Sequence, residues 1–151
     1  MKRDVHWMFL RFIVSVLVCI SCMCQPVSAE ENGVVTSPFG WRYHPVSGDY
    51  RFHDGIDIAY DYGTPVVAMK PGMVYFAGSY GGYGNCVILC HDNDEYTLYA
   101  HCSELAVSEG SLVGQYDTIG YVGSTGLSTG PHLHLTWIVK GEYCDPMGLF
   151  D

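Results

Sequence analysis

Asn85-Cys86-Val87-Ile88-Leu89-Cys90-His91-Asp92-Asn93-Asp94-Glu95-Tyr96-Thr97-Leu98-Tyr99-Ala100 sets two β-rich runs on either side of a polar turn. Each run is too short for a helix of ordinary length, and each is rich in β-branched and aromatic residues. Asp92 to Glu95 therefore reads as the loop of a β-hairpin. The same grammar recurs outward from it. Val66-Val67-Ala68, Val74-Tyr75-Phe76 and Leu133 to Val139 are short apolar stretches. Pro71-Gly72, Gly81-Gly82, Glu109-Gly110 and Lys140-Gly141 punctuate them as turns. No stretch sustains a 3.6-residue apolar period. The expected fold is mostly β, a single antiparallel β-sheet domain.

The chain has 151 residues, enough for one domain. Its start has a different character. Lys2, Arg3 and Arg11 precede a largely apolar run from Phe12 to Cys24, which ends at Pro26 and Val27-Ser28-Ala29. This pattern reads as an export signal over residues 1–29, with the working domain at 30–151. The alternative is an uncleaved membrane anchor, although spanning takes about 20 residues. Losing residues 1–29 removes three cations and one anion and moves the formal charge from −9 to −11. Only Arg42, Arg51, Lys70 and Lys140 then remain as fixed cations, so no basic patch exists for nucleic acid. A monomer, secreted or periplasmic, is expected, with membrane contact only if the first segment stays uncleaved.

Four cysteines fall outside the signal: Cys86, Cys90, Cys102 and Cys144. In an exported domain they permit two disulfides. Cys86 and Cys90 stand about 13 Å apart on an extended strand, too far to bridge each other. Folding the hairpin about Asp92-Asn93-Asp94 brings Cys86 opposite residues near Cys102, which makes that pair the candidate and leaves Cys90 with Cys144. A Cys₄ zinc site competes, without any C-x-x-C spacing to support it.

The histidines carry the chemistry. In His132-Leu133-His134 the two imidazoles point to one side of a strand, with Leu133 and Leu135 on the other. His53-Asp54-Gly55-Ile56-Asp57 offers a second pair of donors, brought together if the chain bends at Gly55. His101 closes the strand after the hairpin. Each feature alone is weak, and His44 and His91 are read as structural or solvated. Together they match the inventory of a catalytic zinc centre, which needs three protein ligands, an open position for water, and a nearby base. His53, Asp57 and one histidine of the H-x-H pair supply the ligands. The other histidine and His101 are left to serve water and substrate.

These motifs also carry a resemblance. Ser37-Pro38-Phe39-Gly40-Trp41-Arg42, His53 to Asp57, Gly63-Thr64-Pro65-Val66 and Gly82-Tyr83-Gly84-Asn85 stand in this order. Tyr99 to Ser103, Gly126 to His134 and Asp145-Pro146 follow. From about Thr36 to Pro146 the chain resembles the lysostaphin-type (LytM-type) zinc endopeptidases. The resemblance implies one zinc ion on His53, Asp57 and His134, with His132 as general base and His101 assisting the water and the tetrahedral intermediate. It implies a peptidoglycan peptide, cross-link or stem, as substrate. A non-catalytic binding or regulatory module on the same fold is the main alternative, and a wall amidase or carboxypeptidase the second.

Overall fold

The computed structural model describes residues 33–43 and 48–150. The export segment 1–29 and His44 lie outside the described residues. The strands, in chain order, are β1 (Val34–Ser37), β2 (Gly40–Tyr43), β3 (Tyr50–His53), β4 (Ile56–Ala59), β5 (Pro65–Val67) and β6 (Gly72–Ser79). β7 (Asn85–His91), β8 (Glu95–Leu105), β9 (Leu112–Val113), β10 (Thr118–Val122), β11 (His132–Val139) and β12 (Glu142–Cys144) complete them. Two short 3₁₀ turns cover Gly81–Tyr83 and Pro146–Leu149.

The hairpin predicted from the sequence is the middle of the sheet. His91 pairs with Glu95, so the turn is Asp92 to Asp94. Asn93 and Asp94 take φ of 62° and 60°, a left-handed conformation that short polar side chains tolerate best after glycine. Outward from it runs a ten-stranded sheet in the order β1-β4-β11-β8-β7-β6-β9, with β10 on β8 and β5, and β12 on β11. Every pairing is antiparallel. β2 and β3 form a separate two-stranded ribbon.

Period-two alternation sorts the side chains. Ile56, Ile58, Leu133, Leu135, Tyr99 and Leu89 point to one face and join the main core. Burying each large aliphatic side chain is worth about 1.5–3 kcal/mol. On the opposite face Cys86, Leu98 and Ala100 form a smaller cluster under Phe76, Tyr83 and Ile88. His91 is a structural histidine, as expected. Its Nδ1 donates to the Pro71 carbonyl at 2.8 Å, and its Nε2 lies 2.8 Å from Thr97 Oγ1.

Two expectations are corrected here. β8 does not close at His101 but runs on to Leu105, and it contains a bulge: Val87 faces Tyr99, but Asn85 faces Cys102. The extra residue falls in β8, where His101 has φ of 62°. That residue shifts Cys102 along the strand, and the expected Cys86–Cys102 bridge is not formed. All four described cysteines are free. Burial pushes the thiols of Cys86 and Cys102 up to about 11 and 12, which keeps them protonated and unreactive at neutral pH.

The hairpin, β11 and the β5–β6 connection are tied together by one carboxylate. Lys70 Nζ donates to both Glu95 oxygens at 2.7 Å, and Trp137 Nε1 donates to Oε1 at 2.5 Å. Burial would raise the Glu95 pKa, but the hydrogen bonds from Lys70 and Trp137 outweigh it and hold the group below its ordinary value. A lowered folded-state pKa adds stability above the unfolded value of about 4.3, and the gain is lost as pH falls through the folded value. Glu95→Gln should therefore cost about 1–2 kcal/mol at pH 7, a figure discounted for the half-exposed lysine. Urea denaturation should find variant and parent converging as pH falls through the lowered folded-state value of Glu95, and a cost independent of pH would contradict this role.

Candidate metal centre

β4 lies against β11 with His134 opposite Asp57 and His132 opposite Ala59. Both histidines thus share a face with Asp57, while Ile56, Ile58, Leu133 and Leu135 point to the core. His53 reaches the same point from the end of β3. The chain turns at Asp54-Gly55 and brings His53 Nε2 within 3.2 Å of Asp57 Oδ1. Gly55 matters for a reason the sequence did not reveal: a Cβ there would meet the Leu135 carbonyl oxygen at 2.3 Å and His134 Nε2 at 2.9 Å. It permits a close approach of the bend to β11.

Each imidazole is anchored through the nitrogen that does not face the site. His53 Nδ1 bonds the Pro38 carbonyl at 2.9 Å, His101 Nδ1 the Thr125 carbonyl at 2.8 Å, and His132 Nδ1 the Gly130 carbonyl at 2.8 Å. A carbonyl only accepts, so each Nδ1 carries the proton and each neutral ring turns a lone pair on Nε2 to the site. His134 is reversed. Its Nε2 lies 3.4 Å from Asp54 Oδ1 and 3.0 Å from Thr136 Oγ1, and its Nδ1 faces inward.

Three lone-pair donors therefore converge. His134 Nδ1 is 2.8 Å from Asp57 Oδ1, His53 Nε2 is 3.2 Å from His134 Nδ1, and His53 Nε2 is 3.2 Å from Asp57 Oδ1. Donors about 2.0–2.1 Å from a tetrahedral ion stand ~3.3 Å apart, close to this triangle. The donor set fits one metal ion. A looser grouping replaces Asp57 with Asp54, with donor atoms within 4.8 Å of one another. Asp54 faces the other nitrogen of His134 and accepts a hydrogen bond from the Tyr83 hydroxyl, so we assign the inner position to Asp57.

The electrostatics agree with a site prepared for a cation. Burial opposes ionisation of Asp57, but the imidazoles of His134 and His53 beside it outweigh burial and hold it well below the usual carboxylate range. Asp54, also raised by burial, is held at about 2 by His134 and Tyr83. Burial lowers the pKa of His134, but Asp54 and Asp57 outweigh it and raise the value. His101 moves the other way: burial first, then the nearby His132 and His134, keep it below the ordinary histidine value.

The five residues named from the sequence are brought together. His101 and His132 stand side by side, rings 4.6 Å apart, and His132 Nε2 is 3.8 Å from Asp57 Oδ1. The bulge in β8 turns His101 towards them. Thr125 holds it there, its Oγ1 donating to the Cys102 carbonyl and accepting from the Asn85 amide. Gly126 (φ 74°) and Gly84 (φ 64°) let the two loops touch backbone to backbone. His53, Asp57, His101, His132 and His134 line a groove of about 430 Å³, which Arg42, Tyr83, Leu127 and Ser128 also border. Asp54, Tyr83 and Arg42 were present in the motifs but given no role. Asp54 sits between His53 and Asp57, the two candidate ligands of one motif, which is the one signal that could have marked it.

Peptidase family M23 matches residues 51–146, a stretch that contains all five. The chain belongs to Peptidase family M23. Among curated M23 relatives, it is 47% identical over 115 residues to the DD-carboxypeptidase/endopeptidase Mpg of Neisseria meningitidis, covering 76% of this chain and 26% of that protein. The peptidoglycan DD-endopeptidase ShyA of Vibrio cholerae is 39% identical over 106 residues, covering 70% of this chain and 25% of that one. The chain thus spans about a quarter of the length of these relatives. Among solved M23 structures, the catalytic domain of the antimicrobial peptidase lysostaphin from Staphylococcus simulans aligns with a TM-score of 0.72 at 32% identity. That alignment covers 80% of this chain and 94% of the other.

With Asp57 in the inner position, Asp54 would act on a bound metal through His134, and Asp54→Asn should then weaken metal affinity about 10–100-fold. Competition against a chromogenic chelator measures this. Unchanged affinity would mean that Thr136 alone orients the ring.

Proposed function

We propose that the protein is a zinc-dependent endopeptidase that hydrolyses peptide bonds in peptidoglycan cross-links or stem peptides. The observation that carries this reading is the arrangement of four imidazoles, two contributing to a three-donor triangle and two presenting free Nε2 atoms beside it. His53 Nε2, Asp57 Oδ1 and His134 Nδ1 would hold the ion, and two imidazoles with one carboxylate is a donor set typical of catalytic zinc. Bound zinc supplies Lewis acidity, polarising a carbonyl and making water a nucleophile near neutral pH.

The remaining steps belong to the side chains. His132 and His101, each protonated on Nδ1 and open at Nε2, offer two acceptors for the two hydrogens of one water. That orients a lone pair of the water towards a scissile carbonyl lying in the groove. His132 takes the proton during attack and returns it to the leaving amine. His101 accepts the second hydrogen of the water, and by the same bond holds the hydroxyl that this water becomes in the tetrahedral intermediate.

Residues 1–29 are proposed as an export signal and 30–151 as the peptidase domain, acting as a monomer in the periplasm or outside the cell. The names of the peptidoglycan-acting relatives support that placement. Among the described residues no helix is long and apolar enough to cross a membrane.

Incubation of the purified protein with peptidoglycan, followed by mass spectrometry, tests the reading. New peptide termini that vanish with chelator and return with zinc are expected. Release of whole stems from the sugar would indicate an amidase, and loss of single terminal residues a carboxypeptidase. His132→Ala should lower turnover by about 10²–10⁴-fold while retaining stoichiometric zinc. Asp57→Ala should lose the zinc itself. Zinc at about 100 times its Kd should stabilise the parent by roughly 2.7 kcal/mol in thermal or urea unfolding, a gain that Asp57→Ala forfeits.

A further inference from the structure

The ribbon β2–β3 has two unlike faces. Along it, aromatic and basic residues alternate: Trp41, Arg42, Tyr43, then Tyr50, Arg51, Phe52. Trp41 pairs with Phe52, Arg42 with Arg51, and Tyr43 with Tyr50. With a period of two, all four aromatic rings project from one face, and both arginines share the other with His53. The arginine face closes the groove, which Arg42 and Arg51 both line. The aromatic face is open, with Trp41 64%, Tyr43 75%, Tyr50 59% and Phe52 42% exposed.

These rings form one continuous strip. Trp41 stacks on Tyr50 at 5.5 Å, Tyr43 leans on Tyr50 at 5.2 Å, and Trp41 meets Phe52 edge-on at 5.7 Å. Phe52 then reaches Tyr143 of β12 at 6.3 Å. Contiguous exposed apolar surface of this kind marks a binding face more often than a stabilising device. Phe52 also lines the groove, so the strip continues directly from the site.

We propose that this aromatic face is a docking strip for the glycan strand of the substrate, whose sugar rings lie flat on Trp41, Tyr43 and Tyr50. The inference rests on the peptidoglycan reading above. A pyranose ring has an apolar C–H face, slightly positive, that complements the negative face of an aromatic ring. Its hydroxyls stay in water at the edges. Among the described residues of the two strands no charged side chain shares the face, so a neutral polymer fits it better than an anionic one. The spacing also fits. Tyr50 lies three residues before His53 on one strand, about 10 Å by strand rise. Three or four extended stem residues span roughly 10–14 Å. Tyr50 and His53 project from opposite faces, so a stem with its distal bond at the metal centre would pass the ribbon edge at Phe52, which also lines the groove, to bring its sugar to the strip.

Glycan strands stripped of peptide are the direct probe, titrated against the full chain by calorimetry and tryptophan fluorescence. Binding that survives 0.5 M salt is expected, with a change in the emission of Trp41. The double variant Trp41→Ala/Tyr50→Ala should bind at least tenfold more weakly, whereas Trp41→Phe/Tyr50→Phe, which keeps the rings, should retain binding. The ratio of kcat/KM on intact wall to that on a sugar-free cross-linked peptide should fall at least tenfold in the alanine variant. If that variant unfolds, Tyr43→Ser, at the most exposed ring, should still lower affinity at least threefold. No binding of stripped glycan by the parent, or an alanine variant that binds like the parent, would overturn the proposal. So would a variant whose only defect is lost binding to anionic vesicles. Glycan binding without cleavage would instead overturn the endopeptidase reading and leave the strip standing. Cleavage without glycan binding would do the reverse.

Discussion

The pairing of β4 with β11, which sets His134 opposite Asp57, is the constraint on which the rest depends. A slip of one residue would turn Leu133 and Leu135 into the groove and bury the imidazoles in the core. Ile56 and Leu135 are fully buried, and Ile58 and Leu133 nearly so. The hydrophobic energy of these four side chains fixes the register, and the register brings the donors together. Stability and site geometry are thus specified by the same alternation, read on opposite faces of two neighbouring strands.

What the sheet places roughly, the loops set finely. His53, His101 and His132 each spend one nitrogen on a carbonyl from an irregular segment, at Pro38, Thr125 and Gly130. His134 spends its own on Asp54 and Thr136. The three rings bonded to carbonyls have their tautomer fixed by the protein, so for them the outcome does not depend on a ligand arriving first. Such preorganisation is where a site gains most, because the orienting cost is met during folding. The close backbone contact between Gly84 and Gly126 belongs to the same device, since it holds Thr125 where His101 needs it.

Much of this was legible in the sequence because a two-residue period is. The hairpin about Asp92 to Asp94, the shared face of His132 and His134, and the strand character of Leu133 to Val139 follow from alternation and turn chemistry alone. The bend that joins His53 to Asp57 was also anticipated, although Gly55 serves close packing more than rotation. The bulge at His101 was not legible. It depends on how β8 pairs with both β7 and β10, and no local residue announces it. The same blindness produced the Cys86–Cys102 bridge, since one extra residue in β8 undoes a register counted from the turn. Strands of two to five residues, such as β9 and β10, carry too little pattern to separate from loops. Asp54 and Tyr83 come from distant segments and acquire a role only when the fold brings them to His134.

The claim that the β4–β11 register builds a three-donor metal centre is tested most directly by anomalous diffraction from crystals soaked in zinc. One peak is expected, bonded to His53 Nε2, Asp57 Oδ1 and His134 Nδ1, with Asp54 on the far nitrogen of His134 and with His101 and His132 unbonded. A peak held by Asp54 in place of Asp57, or bound through His132, would contradict the account.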